Sequence, residues 1–518
     1  DYGFRQLGGT LATSYGDYLA TKVKEQNYMV YVGANDGMFH GFDGGMNGSS
    51  QDTGDGGRER LAYIPATSLG HMGNLLFPYK STTNDQKFQH RYFVDGPVAV
   101  SDMYDGTKWR TAVVGTAGAG GRAVFALDVT DPTRFGTGNV LWEINDSDTR
   151  LSQDVRNNIG NVLGKPVIVP VRSGNSVVWK AIFGNGYGSV SGKAVLFVVD
   201  MATGSTSMIE AEETSSTVAG SNGLGALVVV DRWSGTSQGT RGRDGAADTV
   251  YAADQRGALW KFDLRSTTGK VTTPVFTTAT HSETSGTTSA TYRQPITGGL
   301  TAATGAGGGV MLFFGTGSFS FVNDPADVSP QALYGINDTS SGAPATTLTP
   351  SNLQAYSVET SADERTLTAA APPANVRGWT IALPTTTGER FVGNPTIVGG
   401  VLFMPTYVPN RQTVGCSTSG SNWLFGLETL TGAGAMSEMR FGSPGGTSPG
   451  KSTAAVGLKG DSTAPVKDVG VSAIPRLRSG AGAGPPGGNS CWMVVTVPGG
   501  DPMYAPYPCG RQSWRQVK

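Results

Sequence analysis

The sequence predicts an all-β fold: a modified seven-bladed β-propeller with long loop insertions and one short N-terminal helix. Three observations carry this expectation. One form of short hairpin recurs along the whole chain. Each recurrence after the first is preceded by another apolar strand and is often followed by one more. The chain also holds 76 glycines with only 15% charged residues, which suits many strands and turns better than helices. Groups of three to four short strands repeated along a chain describe a propeller.

Residues 1–28 form a lead-in with one helical candidate, Tyr15 to Gln26, where positions 15, 18, 19 and 23 give helical spacing. The propeller is expected over 29–518 as a single domain. Its first hairpin is MVYVGANDGMFHGFD, Met29 to Asp43, turning at Asn35-Asp36-Gly37, where glycine supplies the positive φ of a tight turn. The next units are RTAVVGTAGAGGRAVFALD (Arg110 to Asp128), VVWKAIFGNGYGSVSGKAVLFVVD (Val177 to Asp200) and TVYAADQRGALWKFD (Thr249 to Asp263). VMLFFGTGSF with ALYGIND, VLFMPTY with NWLFGLET, and CWMVVTV from Cys491 complete the series. Five units close on Asp or Asn, the sixth closes on Glu428, and the seventh keeps only its first strand clearly.

The preceding strands are GPVAVSDMY, KPVIVPVRS, ALVVVDRW, GGLTAAT, GNPTIVGG and GVSAIPRL. Their apolar runs suit strands buried on both faces. Separate β-sandwiches are the competing architecture; recurrence over the full length argues against them. The Gly/Ser/Thr/Pro-rich segments 266–289, 339–349, 442–453 and 480–489 cannot build a core and read as surface loops.

A net charge of −1 implies no basic surface, so nucleic acid is not expected as a partner. No run of 18 apolar residues exists, so no helix is expected to span a bilayer. The opening DYGFRQLGG has no secretory signal pattern. Cys416, Cys491 and Cys509 form no CxxC and no metal spacing. They allow one disulfide, with Cys491–Cys509 the candidate pair in an oxidising compartment, or three unpaired thiols.

Several words beyond the repeat are specific. MVYVGANDGMFHGFD, HRYFVDGPVAV, GAGGRAVFALDVTDP, VLGKPVIV, IFGNGY, DTVYAADQRGALWKFDL, NWLFGLETLTG and GRQSWRQ occur in order. With them the chain resembles the C-terminal propeller domain of the PilC/PilY family of type IV pilus tip and biogenesis proteins, from about residue 15 onward. The resemblance implies a modified seven-bladed propeller with no enzymatic activity. It implies a protein that passes through the periplasm, is secreted, and sits at the pilus tip or outer cell surface. Minor pilins are the implied partners, and promotion of pilus assembly or opposition to retraction is the implied role, with twitching motility depending on it. A host or surface ligand is implied for adhesion, although the family's variable N-terminal region is not matched here.

The resemblance also implies a calcium loop before the fourth hairpin, of the form Asp-x-(Asp/Asn)-x-Asp-Gly-x-x-Asp. Ca²⁺ takes six to eight oxygens, and alternate residues of a tight loop can aim carboxylates inward. Here Asp244, Gly245 and Asp248 match the second half, and Asp231 stands where the first ligand would lie. WSGTSQGTRGR is inserted between, no acid occupies the third position, and Arg241 and Arg243 stand close by. The alternative is a β-turn in which Asp244 pairs with a neighbouring arginine and Asp248 binds turn amides.

Other chemistry is weakly supported. Asp146, Asp148 and Asp154 have EF-like offsets, but Leu151 stands where glycine is needed, so this reads as an ordinary loop. The four histidines are scattered and read as structural. Two GxSxG patterns, at Ser237 and Ser448, lie in polar loops with no helix following, unlike a nucleophile elbow. GTAGAGG from Gly115 lacks the Lys-Ser/Thr of a phosphate loop. Two other functional classes use the same fold. A quinoprotein-like propeller dehydrogenase shares the strand–DG–strand hairpin but calls for an adjacent Cys pair that is absent here. A carbohydrate-binding adhesin is the other.

Overall fold

The structure is a computed structural model that describes residues 1–25, 27–77, 88–214, 217–233, 242–266, 269–285, 288–321, 323–410, 420–437, 439–443, 445–450, 452–458, 464–474, 491–498 and 501–507. The chain forms two compact units, one of 1–275 with 340–347 and one of 276–339 with 348–518.

The first unit holds the N-terminal helix and four antiparallel strand groups. Asn27–Gly33, Phe39–Asn47 and Glu59–Tyr63 form the first. Val98–Tyr104, Trp109–Thr116, Ala123–Asp128 and Val140–Asn145 form the second. The third runs Val167–Ser173, Ser176–Gly184, Ala194–Asp200 and Thr206–Ala211, and the fourth contains Leu224–Val230, Thr249–Asp254 and Ala258–Asp263. Each expected preceding strand pairs with the first strand of its hairpin. Every residue of Thr249–Asp254 is buried. That explains its unbroken apolar run, since a strand covered on both faces needs no polar alternation.

The recurrent aspartate that closes the hairpin word, at the strand end in three cases and within Phe39–Asn47 at Asp43, performs two tasks. One carboxylate oxygen closes the following turn: Asp43 accepts from Gly45 N (2.9 Å), Asp128 from Thr130 N (3.0 Å), Asp200 from Ala202 N (3.1 Å) and Asp263 from Arg265 N (3.0 Å). The other oxygen takes a cation. Arg60 reaches Asp43 at 3.2 Å, Lys180 reaches Asp200 at 3.0 Å, Arg265 reaches Asp263 at 2.8 Å, and Arg110 bonds Asp128. A side chain bonding the amide two residues on is an Asx-turn.

The helix differs from expectation in extent. It runs Gly9–Glu25, preceded by a 3₁₀ turn at Phe4–Leu7. It starts earlier because its anchors are tertiary: Phe4 and Tyr15 are buried with Met103, Trp109 and Trp179. Asp102 is fully buried and accepts from Lys22 Nζ (2.6 Å), Tyr15 Oη (3.0 Å) and Thr111 Oγ1 (2.9 Å). The lead-in is therefore packed into the core of its unit.

The second unit carries a ten-stranded sheet. Thr301–Thr304, Val310–Gly315, Ala332–Asp338 and Gly378–Ala382 make one part, and Thr396–Val398, Val401–Pro409, Gly420–Glu428 and Thr453–Gly457 make the other. A hairpin not anticipated from the sequence, Gln354–Ser361 with Glu364–Ala369, joins the two parts. Gly470–Ile474, Cys491–Thr496, Met503–Tyr507 and Arg440–Phe441 form a further sheet. Segment 266–289, expected as a loop, instead contributes to a hairpin of Thr280–Ser285 with Thr288–Arg293. Its many threonines favour extended backbone despite their polarity.

His40 ties the first turn to the third strand. Its Nδ1 lies 2.6 Å from Glu59 Oε1 and its Nε2 lies 2.9 Å from Asp36 Oδ2. Burial opposes its charge, but the bonds to Glu59 and Asp36 outweigh burial and raise its pKa above the ordinary histidine value.

Two outcomes are expected. Lys22→Met keeps the apolar stem but leaves Asp102 without a cation, and should cost about 3 kcal/mol in chemical denaturation, with Lys22→Arg retaining most of the stability. Because the folded pKa of His40 is raised, its contribution is fully present below the unfolded value of about 6.5. It is lost as pH rises through the folded value. Melting temperature should therefore fall over that window in the wild type, and His40→Gln should flatten this part of the profile.

Candidate functional site

The loop between Leu224–Val230 and Thr249–Asp254 brings Asp231, Asp244 and Asp248 together. Asp231 follows directly on the strand, and its Oδ2 accepts from Gly245 N at 2.9 Å. Gly245 has φ +83°, and a Cβ there would sit 2.8 Å from the backbone of Gln6 and Leu7. Ala247 N donates to Pro170 O (2.7 Å), so the loop is also stitched to the strand Val167–Ser173.

The three carboxylates have different partners. Asp244 accepts from Ala246 N (3.0 Å) with one oxygen and from Arg172 Nε (2.5 Å) with the other. Asp248 accepts from Arg232 N (3.0 Å), Trp233 N (2.7 Å) and Thr249 Oγ1 (2.6 Å). Asp231 Oδ1 is buried and has no hydrogen-bond partner among the described residues. Burial pushes the Asp231 pKa up to about 6, with the charges of Asp244 and Asp248 adding to the rise. Burial likewise raises that of Asp248.

A calcium ion needs six to eight oxygens at about 2.3–2.6 Å. Among the described residues no group of three or more His, Cys, Asp or Glu side chains is arranged to hold a metal. Asp248 spends both oxygens on amide and hydroxyl donors, and Asp244 spends one on a guanidinium. The described donor set therefore does not fit the ion that the family resemblance implies. Among the described residues Asp244 meets the guanidinium of Arg172, 72 positions before it in the chain; Arg241 lies outside the described residues. Local spacing carries no signal for it. Residues 234–241, including Ser237, lie outside the described residues.

The other sequence candidates do not converge. Asp148 pairs with Arg150 (2.6 Å) and Asp146 with Arg122 (3.4 Å). Asp154 belongs to a short helix, Gln153–Asn158, capped by Ser152, where a loop was expected. Cys491 opens the strand Cys491–Thr496; Cys416 and Cys509 lie outside the described residues.

Residues 9–371 match the family model of the PilY1 beta-propeller domain. The chain belongs to the PilY1 β-propeller family. A type IV pilus biogenesis factor PilY1 homolog of Xylella fastidiosa is 35% identical over 570 residues, covering 100% of this chain and 35% of that protein. Type IV pilus biogenesis factor PilY1 of Pseudomonas aeruginosa PAO1 is 31% identical over 448 residues, covering 78% of this chain and 34% of that one. The crystal structure of the Pseudomonas aeruginosa PilY1 C-terminal domain superposes with a TM-score of 0.64 at 26% identity, covering 95% of each chain. The mostly-β propeller architecture expected from the repeat is thereby established. The chain spans about a third of the length of the curated relatives. No helix among the described residues is long and apolar enough to cross a membrane.

Gly245→Ala should cost about 1–3 kcal/mol, because it forces a side chain into left-handed backbone and against Gln6 and Leu7. Gly70→Ala, at φ −67° with open space around it, should be close to neutral in the same denaturation experiment.

Proposed function

We propose that this chain is the propeller part of a type IV pilus biogenesis factor. In this reading it acts at the pilus tip on the outer cell surface, after passing through the periplasm. It contacts minor pilins there, and so promotes pilus assembly or opposes retraction. The observation that carries the reading is the run of relatives named as pilus biogenesis factors, matched over 78% to 100% of this chain. Those names denote assembly rather than catalysis. The fold supports a binding function: strand ends anchored by carboxylates paired with cations, at Asp128, Asp200 and Asp263, hold the connecting loops on a rigid scaffold, where contact residues commonly reside. Engagement of a host or surface ligand, and twitching motility, follow from the same position at the tip.

The test is deletion of this region from its gene, followed by counting surface pili in electron micrographs and measuring twitching zones. Pili should be lost and should return when retraction is also disabled. Unchanged pilus number and motility would overturn the proposal.

A further inference from the structure

We propose that the strand Asn27–Gly33 is a docking edge, on which a pilus subunit lays an extended, apolar segment antiparallel to it. Each of the six later hairpins has its first strand paired antiparallel with a preceding apolar strand. The first hairpin lacks that partner: among the described residues Asn27–Gly33 pairs only with Phe39–Asn47. Just beyond the strand Ala34 N donates to Met38 O (3.0 Å), and alternation from there gives the pairing bonds to Val30 and Val32. The main-chain groups of Met29 and Tyr31 therefore point to the open edge.

The side chains agree. Tyr28, Val30 and Val32 are 56%, 57% and 44% exposed. Val30 lies opposite Phe42, which is half-buried, and Met46 on the same face is exposed. In the fourth group, by contrast, the corresponding strand Thr249–Asp254 is buried throughout. Free edges are ordinarily protected by charge or proline, and Asn27–Gly33 carries neither. Charge also marks a direction. Asp36, 46% exposed, stands just past the C-terminal end of the strand, where an antiparallel segment begins, so a cation at the start of the segment fits. The chain's own Lys165-Pro166-Val167-Ile168-Val169 opens a preceding strand in this way. Addition of a strand to an open edge draws affinity from the main chain and selectivity from alternate side chains.

The source of the segment rests on the pilus reading; the edge itself does not. The probe is a synthetic peptide of residues 165–173, KPVIVPVRS, added to the purified chain. It should bind and slow amide exchange at Met29 and Tyr31, and a copy beginning with Glu should bind more weakly. Val30→Lys with Val32→Lys, at exposed positions, should leave the melting temperature unchanged and lose at least about tenfold in peptide affinity. In the cell the same pair should reduce surface pili as deletion of the whole region does. Amides of Met29 and Tyr31 already protected in the chain alone would overturn the inference, and so would self-association abolished by the two lysines, which would put a second copy in the slot. Normal pili in the doubly substituted strain, where deletion removes them, would overturn it and leave the pilus reading standing. A deletion without effect overturns the pilus reading and with it the source of the segment. Should the double variant fail to fold, amide exchange in the wild-type chain with and without peptide decides.

Discussion

A carboxylate withdrawn in part or in whole from water must find both hydrogen-bond donors and a positive charge to offset its lost hydration. The repeat in this chain meets that demand the same way at Asp43, Asp128, Asp200 and Asp263. One oxygen takes the amide two residues on, and the other takes Arg60, Arg110, Lys180 or Arg265. At Asp128, Asp200 and Asp263, which end their strands, the exit direction of the chain is therefore set by electrostatics local to that turn. Insertions beyond the turn can vary in length without disturbing the strand. The N-terminal helix is attached by the same logic, through Asp102 and its three donors.

The hairpins were legible in the sequence because each is a contiguous apolar run, a glycine-bearing turn, a second apolar run and an acid. TVYAADQRGALWKFD contains its own register, Val250 opposite Phe262 and Ala252 opposite Trp260. What escaped were elements whose identity depends on distant partners. The helix begins at Gly9 because Phe4 and Tyr15 dock on Trp109 and Trp179, and residues 9–14 have no helical pattern strong enough to announce this. The hairpin of Thr280–Ser285 with Thr288–Arg293 is rich in Thr and Ser, so its strands lack the apolar signal although threonine favours extended backbone.

At the candidate site, the acids and the glycine were readable and their counter-charge was not. Asp231, Asp244 and Asp248 do share one loop, and Gly245 does occupy left-handed backbone. The choice between a metal loop and a turn, however, turns on which atoms face the carboxylates. Among the described residues those atoms are main-chain amides, the Thr249 hydroxyl and the guanidinium of Arg172 from the neighbouring strand. Spacing within a motif constrains where oxygens can point, not what meets them.

The hairpin Gln354–Ala369 shows how the fold manages exposed sheet edges. Strands at an edge present unpaired amides and carbonyls that invite unwanted pairing. Gln354–Ser361 lies parallel on Gly378–Ala382, and Glu364–Ala369 lies antiparallel on Thr453–Gly457. Two edges are thus covered by one insertion, and two strand groups become a single ten-stranded sheet. The joint is marked by Arg365, whose Nη1 and Nη2 pair with Glu389 through bonds of 2.7 and 2.8 Å and whose guanidinium lies 3.7 Å above the Trp423 ring. Both charges are almost completely buried, where desolvation offsets much of their attraction. The pair therefore adds less to stability than to selectivity: a hairpin shifted by one residue would carry Arg365 to the opposite face and leave Glu389 buried without its cation. The register that the edge strands themselves specify only weakly is thereby enforced by one ion pair.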